Sequence, residues 1–243
     1  MKKDYKDRFY RKRVRSKDLV SFQVAVKETD LWISAKERLE KEARDLVLNS
    51  RHQLESYISA HPDFLTALEP YPPDPFAPPM VKEMIECTRT VGVGPMASVA
   101  GAIAQYVALG LLQSTNQVIV ENGGDIFARV DRSLTVSIFA GESPLSERIG
   151  LRVSARHMPL GICSSSGTVG HSLSMGAADV ACILSPSAIL ADGAATALCN
   201  RIQGKRDLKG IASWAKGVKG ILGALVILGD QMATWGDMEL VAL

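Results

Sequence analysis

VIVENGGDIFARV, residues 118–130, sets one apolar run against a returning one across Asn122-Gly123. Asn-Gly is the strongest short-range hairpin signal, because both residues accept the positive φ that a tight two-residue turn demands. The runs 118–120 and 126–130 therefore pair antiparallel. Residues 134–139 and 149–153 continue the strand pattern, and the apolar runs 178–184 and 221–228 read as interior strands. Upstream, Phe22, Val24 and Val26 alternate with Gln23, Ala25 and Lys27, which marks a half-buried strand over 19–27. A turn at 28–30 leads into a short partner strand over 31–34.

The period then changes. Leu39, Ala43, Leu46, Val47, Leu54, Tyr57 and Ile58 form one stripe of an amphipathic helix over 35–60. Residues 70–79 hold six prolines, which exclude helix and central strand and leave an extended crossover. Further helices are expected at 80–89, at 96–112 with Pro95 at its start, at 189–202 and at 207–216. The small residues Ala97, Ser98, Ala100, Gly101, Ala102 and Ala104 would allow a neighbour to approach the second of these closely. Hairpins separated by helices make an α+β protein with helices on one face of a largely antiparallel sheet.

With 243 residues and 47% hydrophobic composition, the chain can bury a large core as one compact domain, 1–243, or as two intimately packed subdomains joined by the 70–79 crossover. Its net charge of +2 conceals a basic start: residues 1–17 hold nine Lys or Arg against two Asp. Such a run can steer nucleic acid. The alternation of Arg11, Arg13 and Arg15 with Lys12 and Val14 reads instead as a charge-protected edge strand, so no nucleic-acid partner is expected. Cys87, Cys163, Cys182 and Cys199 show neither zinc-ligand spacing nor a disulfide framework. No apolar signal core follows the basic start, and the apolar stretch 97–112, interrupted by Gln105, is short for a membrane span. A soluble cytoplasmic protein with reduced thiols is expected.

Chemistry is to be sought in GICSSSGTVGHSLSMGAADVACILSPSAILADGAATAL, residues 161–198. Asp192 and Thr196 stand four apart, so on a helix their oxygens share a face and can hold a hard cation. The alternative is that Asp192 caps the helix while Thr196 bonds its own backbone. Asn122, Gly123, Gly124 and Asp125 form a second candidate, a turn whose glycines free the backbone to lie against a flat or anionic ligand. Ser164, Ser165, Ser166, Gly167 and Thr168 form a third, with His171 as a group that titrates near neutrality. No G-x-S-x-G elbow supports a serine hydrolase. A Cys163–His171 thiol dyad is the remaining nucleophilic arrangement.

These segments, with VGVGPMASVAGAIAQYV at 91–107, resemble a small side branch of the ApbE-like superfamily, whose best-known members are FAD:protein FMN transferases. The likeness runs from RFYRKRV at Arg8 to WGDMEL near the C-terminus. It implies a duplicated T-fold-like sheet-and-helix unit in two layers, and magnesium held through the A-D-x-x-x-T stretch by Ala191, Asp192 and Thr196. It further implies a pocket for FAD or another nucleotide around Asn122–Asp125 and Ser164–Thr168; His171, by its titration near neutrality, is the ligand-facing donor or acid expected there. The implied partner is a small phosphate-bearing ligand, without a membrane, and with homodimerisation open. Two elements depart from the transferase pattern: residues 94–101 lack its Lys, and Ser-Leu-Ser-Met-Gly follows His171 in place of H-x-I-D-P. FMN transfer onto protein is doubtful on that ground. A non-catalytic binding or assembly role, or an accessory role in sulfur assimilation toward homocysteine, is the alternative. Asp192 to Thr196 also resembles loosely the pattern on which flavin is attached to acceptor proteins; it is two residues short, and acceptor status is rejected.

Overall fold

The computed structural model describes residues 18–168 and 175–243. The strands β3 (Val118–Asn122) and β4 (Asp125–Arg129) form the expected hairpin, with one difference. The two turn residues are Gly123 and Gly124, at φ +66° and +109°, and Asn122 stays in the ladder opposite Asp125. Gly124 takes positive φ without steric cost, while the Asn122 amide is drawn aside to donate to Ala100 O at 3.1 Å. On the outer side Glu121 Oε1 accepts from Gly124 N at 2.7 Å.

This hairpin is central to an antiparallel sheet of eight strands, in the order β1-β2-β3-β4-β7-β8-β9-β10. Its other members are β1 (Val20–Val26), β2 (Thr29–Ala35), β7 (Leu160–Ser165), β8 (Val180–Ser185), β9 (Gly223–Leu228) and β10 (Gln231–Gly236). The apolar runs expected to be interior are interior, as β3, β8 and β9. The turn expected at 28–30 falls one residue earlier, since Thr29 and Asp30 already pair with Val26 and Ala25.

Helices fill the intervals between hairpins. After β2 come α1 (Glu40–Ala60), α2 (Asp63–Thr66), α3 (Pro79–Val91) and α4 (Val99–Leu111); after β8 come α5 (Ala188–Arg201) and α6 (Ile211–Gly217). The succession hairpin, helices, hairpin thus occurs twice, as the duplicated unit implies. The helix expected from residue 35 starts at 40 because Ala35 remains paired with Val20 in the β1–β2 ladder. Pro95 opens a short 3-10 turn, Pro95–Ser98, which runs into α4. The proline crossover is pinned from both sides: Tyr57 OH donates to Asp74 at 2.9 Å, and the Phe64 ring meets Tyr57 and Tyr71 edge-on at 5.1 and 5.2 Å.

Alternate strand residues Leu31, Ile33, Val118, Val120, Phe127, Cys163 and Val226 face the helices and make the main core. The opposite face of β7, β8 and β9 is covered by a small sheet in the order β11-β6-β5, formed by β5 (Leu134–Ser137), β6 (Ile149–Val153) and β11 (Glu239–Ala242). The basic run 1–17, expected to begin a strand, lies outside the described residues, as does His171. None of the four cysteines is in a disulfide. Among the described residues no single helix is long and apolar enough to cross a membrane.

Helix α5 lies directly on the sheet and on α4 because two glycines admit it. A Cβ on Gly161 would stand 2.4 Å from Ala188 Cα, and one on Gly101 would stand 2.4 Å from Ala188 O and 2.9 Å from Asp192 Cβ. The small residues noted in the 96–112 stretch therefore serve this contact. Alanine at a helical glycine ordinarily gains about 1 kcal/mol. Here the methyl meets backbone, and Gly101→Ala is expected to cost about 1–3 kcal/mol instead. Urea denaturation checks the sign; a variant as stable as the parent would mean that the helices are not in contact there.

Candidate functional site

Helix α5 starts at Ala188 with Ser187 as its cap, the Ser187 hydroxyl accepting from Leu190 N at 3.2 Å. Asp192 is therefore not the capping residue but sits one turn inside, with Thr196 one turn further. The Thr88 hydroxyl of α3 donates to Met84 O at 2.7 Å, yet the Thr196 hydroxyl makes no such bond to Asp192 O. The capping alternative thus falls at both residues. Each is buried to 7% exposure.

The Asp192 carboxylate reaches away from its own helix. Its Oδ2 accepts from Gly101 N in the first turn of α4 at 2.8 Å, with the Ala100 amide beside it. A helix start is electropositive and its first amides lack intrahelical acceptors, so a carboxylate is well placed there. Asp125, at the start of β4, turns to the same side of the sheet, and its Oδ1 accepts from Ser164 N at 3.1 Å. Cys163 is buried beside both acids, its Sγ donating to Ala188 O at 3.4 Å.

Burial dominates the electrostatics. It pushes Asp125 up to about 7, against a partial offset from the Ser164 amide and the Cys163 thiol. Asp192 is raised well above the ordinary carboxylate range, first by burial and then by the neighbouring Asp125 charge, while the Gly101 and Ala100 amides pull it back. Burial and these two acids also hold the Cys163 thiol well above its usual value. It stays protonated at neutral pH, which removes the thiol-dyad arrangement from its nucleophile.

The sequence candidates divide in space. Asn122, Asp125, Ser165, Asp192 and Thr196 gather on the helix-facing side, where strand alternation places Ser165 two residues beyond Cys163. The Ser165 hydroxyl is buried and has no hydrogen-bond partner among the described residues. Ser164 belongs to β7, and its side chain points through the sheet toward Cys182 on the other face. Ser166 and Thr168 lie at the exposed end of β7, where Thr168 Oγ1 approaches Asp179 at 3.4 Å, and Gly167 N donates to Ala178 O at 3.0 Å. Gly123 and Gly124 border the cluster with open space at their Cβ positions. Ala191 is interior to α5, with its carbonyl in the helical ladder. Ser98, within the segment that lacks the transferase Lys, folds its hydroxyl back onto Pro95 O at 2.9 Å.

For a cation the donor set is two carboxylates, free hydroxyls at Thr196 and Ser165, and peptide carbonyls. It holds no third acid, thiolate or imidazole among the described residues. All-oxygen donors of this kind suit magnesium and not zinc. A hollow of about 220 Å³ beside Glu86, Arg89 and Thr90 lies instead on the exposed side of α3.

A family model described as "AbpE bacteria" matches residues 11–215. The UPF0280 protein of Methanosarcina acetivorans is 41% identical over 216 residues, covering 88% of this chain and 85% of its own. That of Methanocaldococcus jannaschii is 35% identical over 222 residues, covering 89% and 90%. The chain belongs to this ApbE-like UPF0280 family. Its fold is that of the flavinyl transferase ApbE of Pseudomonas stutzeri, in the apo form, at TM-score 0.59 and 12% identity, covering 89% of this chain and 93% of that one. The ApbE protein of Thermotoga maritima superposes at TM-score 0.53 and 10% identity over 88% of this chain and 96% of its own. The family and the mixed helix and antiparallel-sheet fold that the sequence implied are thereby confirmed.

One participant escaped the sequence reading. Gln105 of α4, buried to 7% exposure, places Oε1 2.7 Å from Ala188 N and so caps the start of α5. Its signal was a lone polar residue inside an apolar helix.

The buried acids make stability depend on pH. Asp125 rises from an ordinary 3.8 to about 7 on folding, so its contribution is complete below pH 4 and is lost as pH rises through 7. Asp125→Asn keeps an acceptor for Ser164 N and should flatten the fall in urea midpoint between pH 4 and 8. Parallel pH profiles for the two proteins would contradict a buried, proton-binding Asp125.

Proposed function

We propose that the protein binds a flavin or another phosphate-bearing nucleotide together with magnesium, through the cluster at the facing starts of α4, α5 and β4. The observation that carries this reading is the buried Asp125 and Asp192 pair, with no basic side chain among the described residues bonded to either carboxylate. Two carboxylates in such surroundings resist ionising together. Asp192 and Thr196 would hold the cation, with Asp125 adding charge and Ser165 an unspent hydroxyl. When bound, the cation would supply positive charge against ligand phosphates.

The chain's own residues then have separate tasks. The α4 amides orient the Asp192 carboxylate. Asn122 holds the carbonyl of Ala100 and so fixes that helix start beside the Gly123-Gly124 turn, whose open side admits a flat ring system or a phosphate. The ApbE flavin transferases share the fold, which supports a flavin as ligand. With residues 94–101 lacking the Lys of the transferase pattern, that segment offers no protein-borne cation, so binding should depend on the metal. Turnover, with His171 as acid, is the finer form of this reading.

The Asp192–Gly101 bond favours a second reading, in which Asp192 only ties α4 to α5 and the protein acts without nucleotide as a binding or assembly module. Calorimetric titration with FAD and ADP, with and without magnesium, separates the two. On the first reading binding requires magnesium, Asp192→Ala loses most of it, Thr196→Val loses less, and Cys163→Ser leaves it nearly unchanged. Metal-independent binding, or equal affinity in folded Asp192→Ala, would leave the module reading in place.

A further inference from the structure

Helices α4 and α5 cross so that Gly101 faces Asp192 and Gln105 faces Ala188. Gly101 and Gln105 are four apart on α4, as are Ala188 and Asp192 on α5, so each pair shares one helix face. The four residues form a closed frame. At one corner Gly101 N donates to Asp192 Oδ2 at 2.8 Å, and at the other Ala188 N donates to Gln105 at 2.7 Å. Each helix thus has an early amide satisfied by a side chain of the other. The peptide N–H of Ala188 is a donor, so the side-chain atom facing it must be the amide oxygen of Gln105. Between the corners Ala188 O lies against Gly101, leaving no room for the helices to slide.

We propose that Gln105 is a positioning residue for the site: by capping Ala188 it fixes where α5 begins against α4, and so holds the Asp192 carboxylate in its place. This inference rests on the nucleotide-and-cation reading for its functional consequence, not for its geometry. Ser187 already caps Leu190 N, so the Gln105 bond is not needed merely to start the helix. Its separate effect is to tie that start to α4 one turn from Asp192. Without the tie, the start of α5 is held to α4 by packing and by the Asp192–Gly101 bond alone, with the longer Cys163 bond to Ala188 O on the sheet side, so a shift of that start strains the Asp192 bond directly.

The test compares Gln105→Leu, which keeps the volume and removes the acceptor, with Gln105→Glu, which keeps an acceptor oxygen at a helix start that favours negative charge. Leu111→Ala, a core truncation elsewhere on α4, controls for general loss of stability. Amide hydrogen exchange at Gly101, read by NMR on the intact chain, reports the Asp192 bond without any ligand. Binding of Mn²⁺ alone, followed by electron paramagnetic resonance, reports the site. In Gln105→Leu, Gly101 exchange should quicken well beyond the change in Leu111→Ala, and Mn²⁺ affinity should fall about tenfold, as for a partner that orients a metal ligand. Gln105→Glu should restore both. Gly101 protection in Gln105→Leu equal to that in Leu111→Ala, or no restoration by Gln105→Glu, would overturn the inference. If Gln105→Leu does not fold, Gln105→Glu decides by keeping or losing Gly101 protection relative to the parent. If the parent binds no Mn²⁺, the cation reading fails alone, and Gly101 exchange still decides the role of Gln105.

Discussion

The contact on which the site depends is the close crossing of α4 and α5, bonded at both ends and sealed by Gly101. It is a short-range constraint with long-range consequences. A buried hydrogen bond to a charged group contributes about 1.5–3 kcal/mol, and leaving such a group without its partner costs a similar amount. Asp192 can be buried because the start of α4 receives it. Helix α5 can rest on β7 because Gly161 lacks a side chain where Ala188 passes. The hairpin β3–β4 enters the same arrangement through Asn122, which grips α4 at Ala100.

The same contact sets the charge balance. Asp125 and Asp192 come from separate halves of the duplicated fold, one from the hairpin that closes the first half and one from the helix of the second. Folding brings them to one side of the sheet with backbone amides, and for Asp125 also the Cys163 thiol, as their donors. Amides solvate one carboxylate but supply no net charge. With no basic partner for this pair among the described residues, the fold either carries protons there or meets a cation. Both outcomes link the folded state to its solution conditions, and only the second gives the pair a ligand.

The sheet and its helices were legible because their signals are local. Apolar runs at 118–120 and 178–184, the Asn122-Gly123-Gly124 turn and the stripe of α1 each depend on residues near in sequence. Strand β7 was not legible: Gly161 and the serines resemble a loop, since Gly161 is there to admit α5 and not to pack as strand residues do. The strands β10 and β11 likewise lack an apolar run, being half exposed at sheet edges. Asp192 and Thr196 could be placed on one helix face, and the resemblance gave them a role. That the carboxylate would bond Gly101, 91 residues away, had no sequence signature. Gln105 had one, a polar residue in an apolar helix, but its partner lies 83 residues away. Ser164 and Ser165 show the limit within a strand: adjacent in sequence, they face opposite sides of the sheet once β7 forms.

In the proposed function Asp192, held by α4, is a cation ligand as well as a tie between helices. Anomalous diffraction from crystals grown with manganese and FAD tests it most directly. If Asp192 is such a ligand, an anomalous peak stands within ligand distance of its carboxylate and of the Thr196 hydroxyl, with Asp125 on the same side. Crystals that hold nucleotide without metal at Asp192, or manganese only elsewhere, would contradict it.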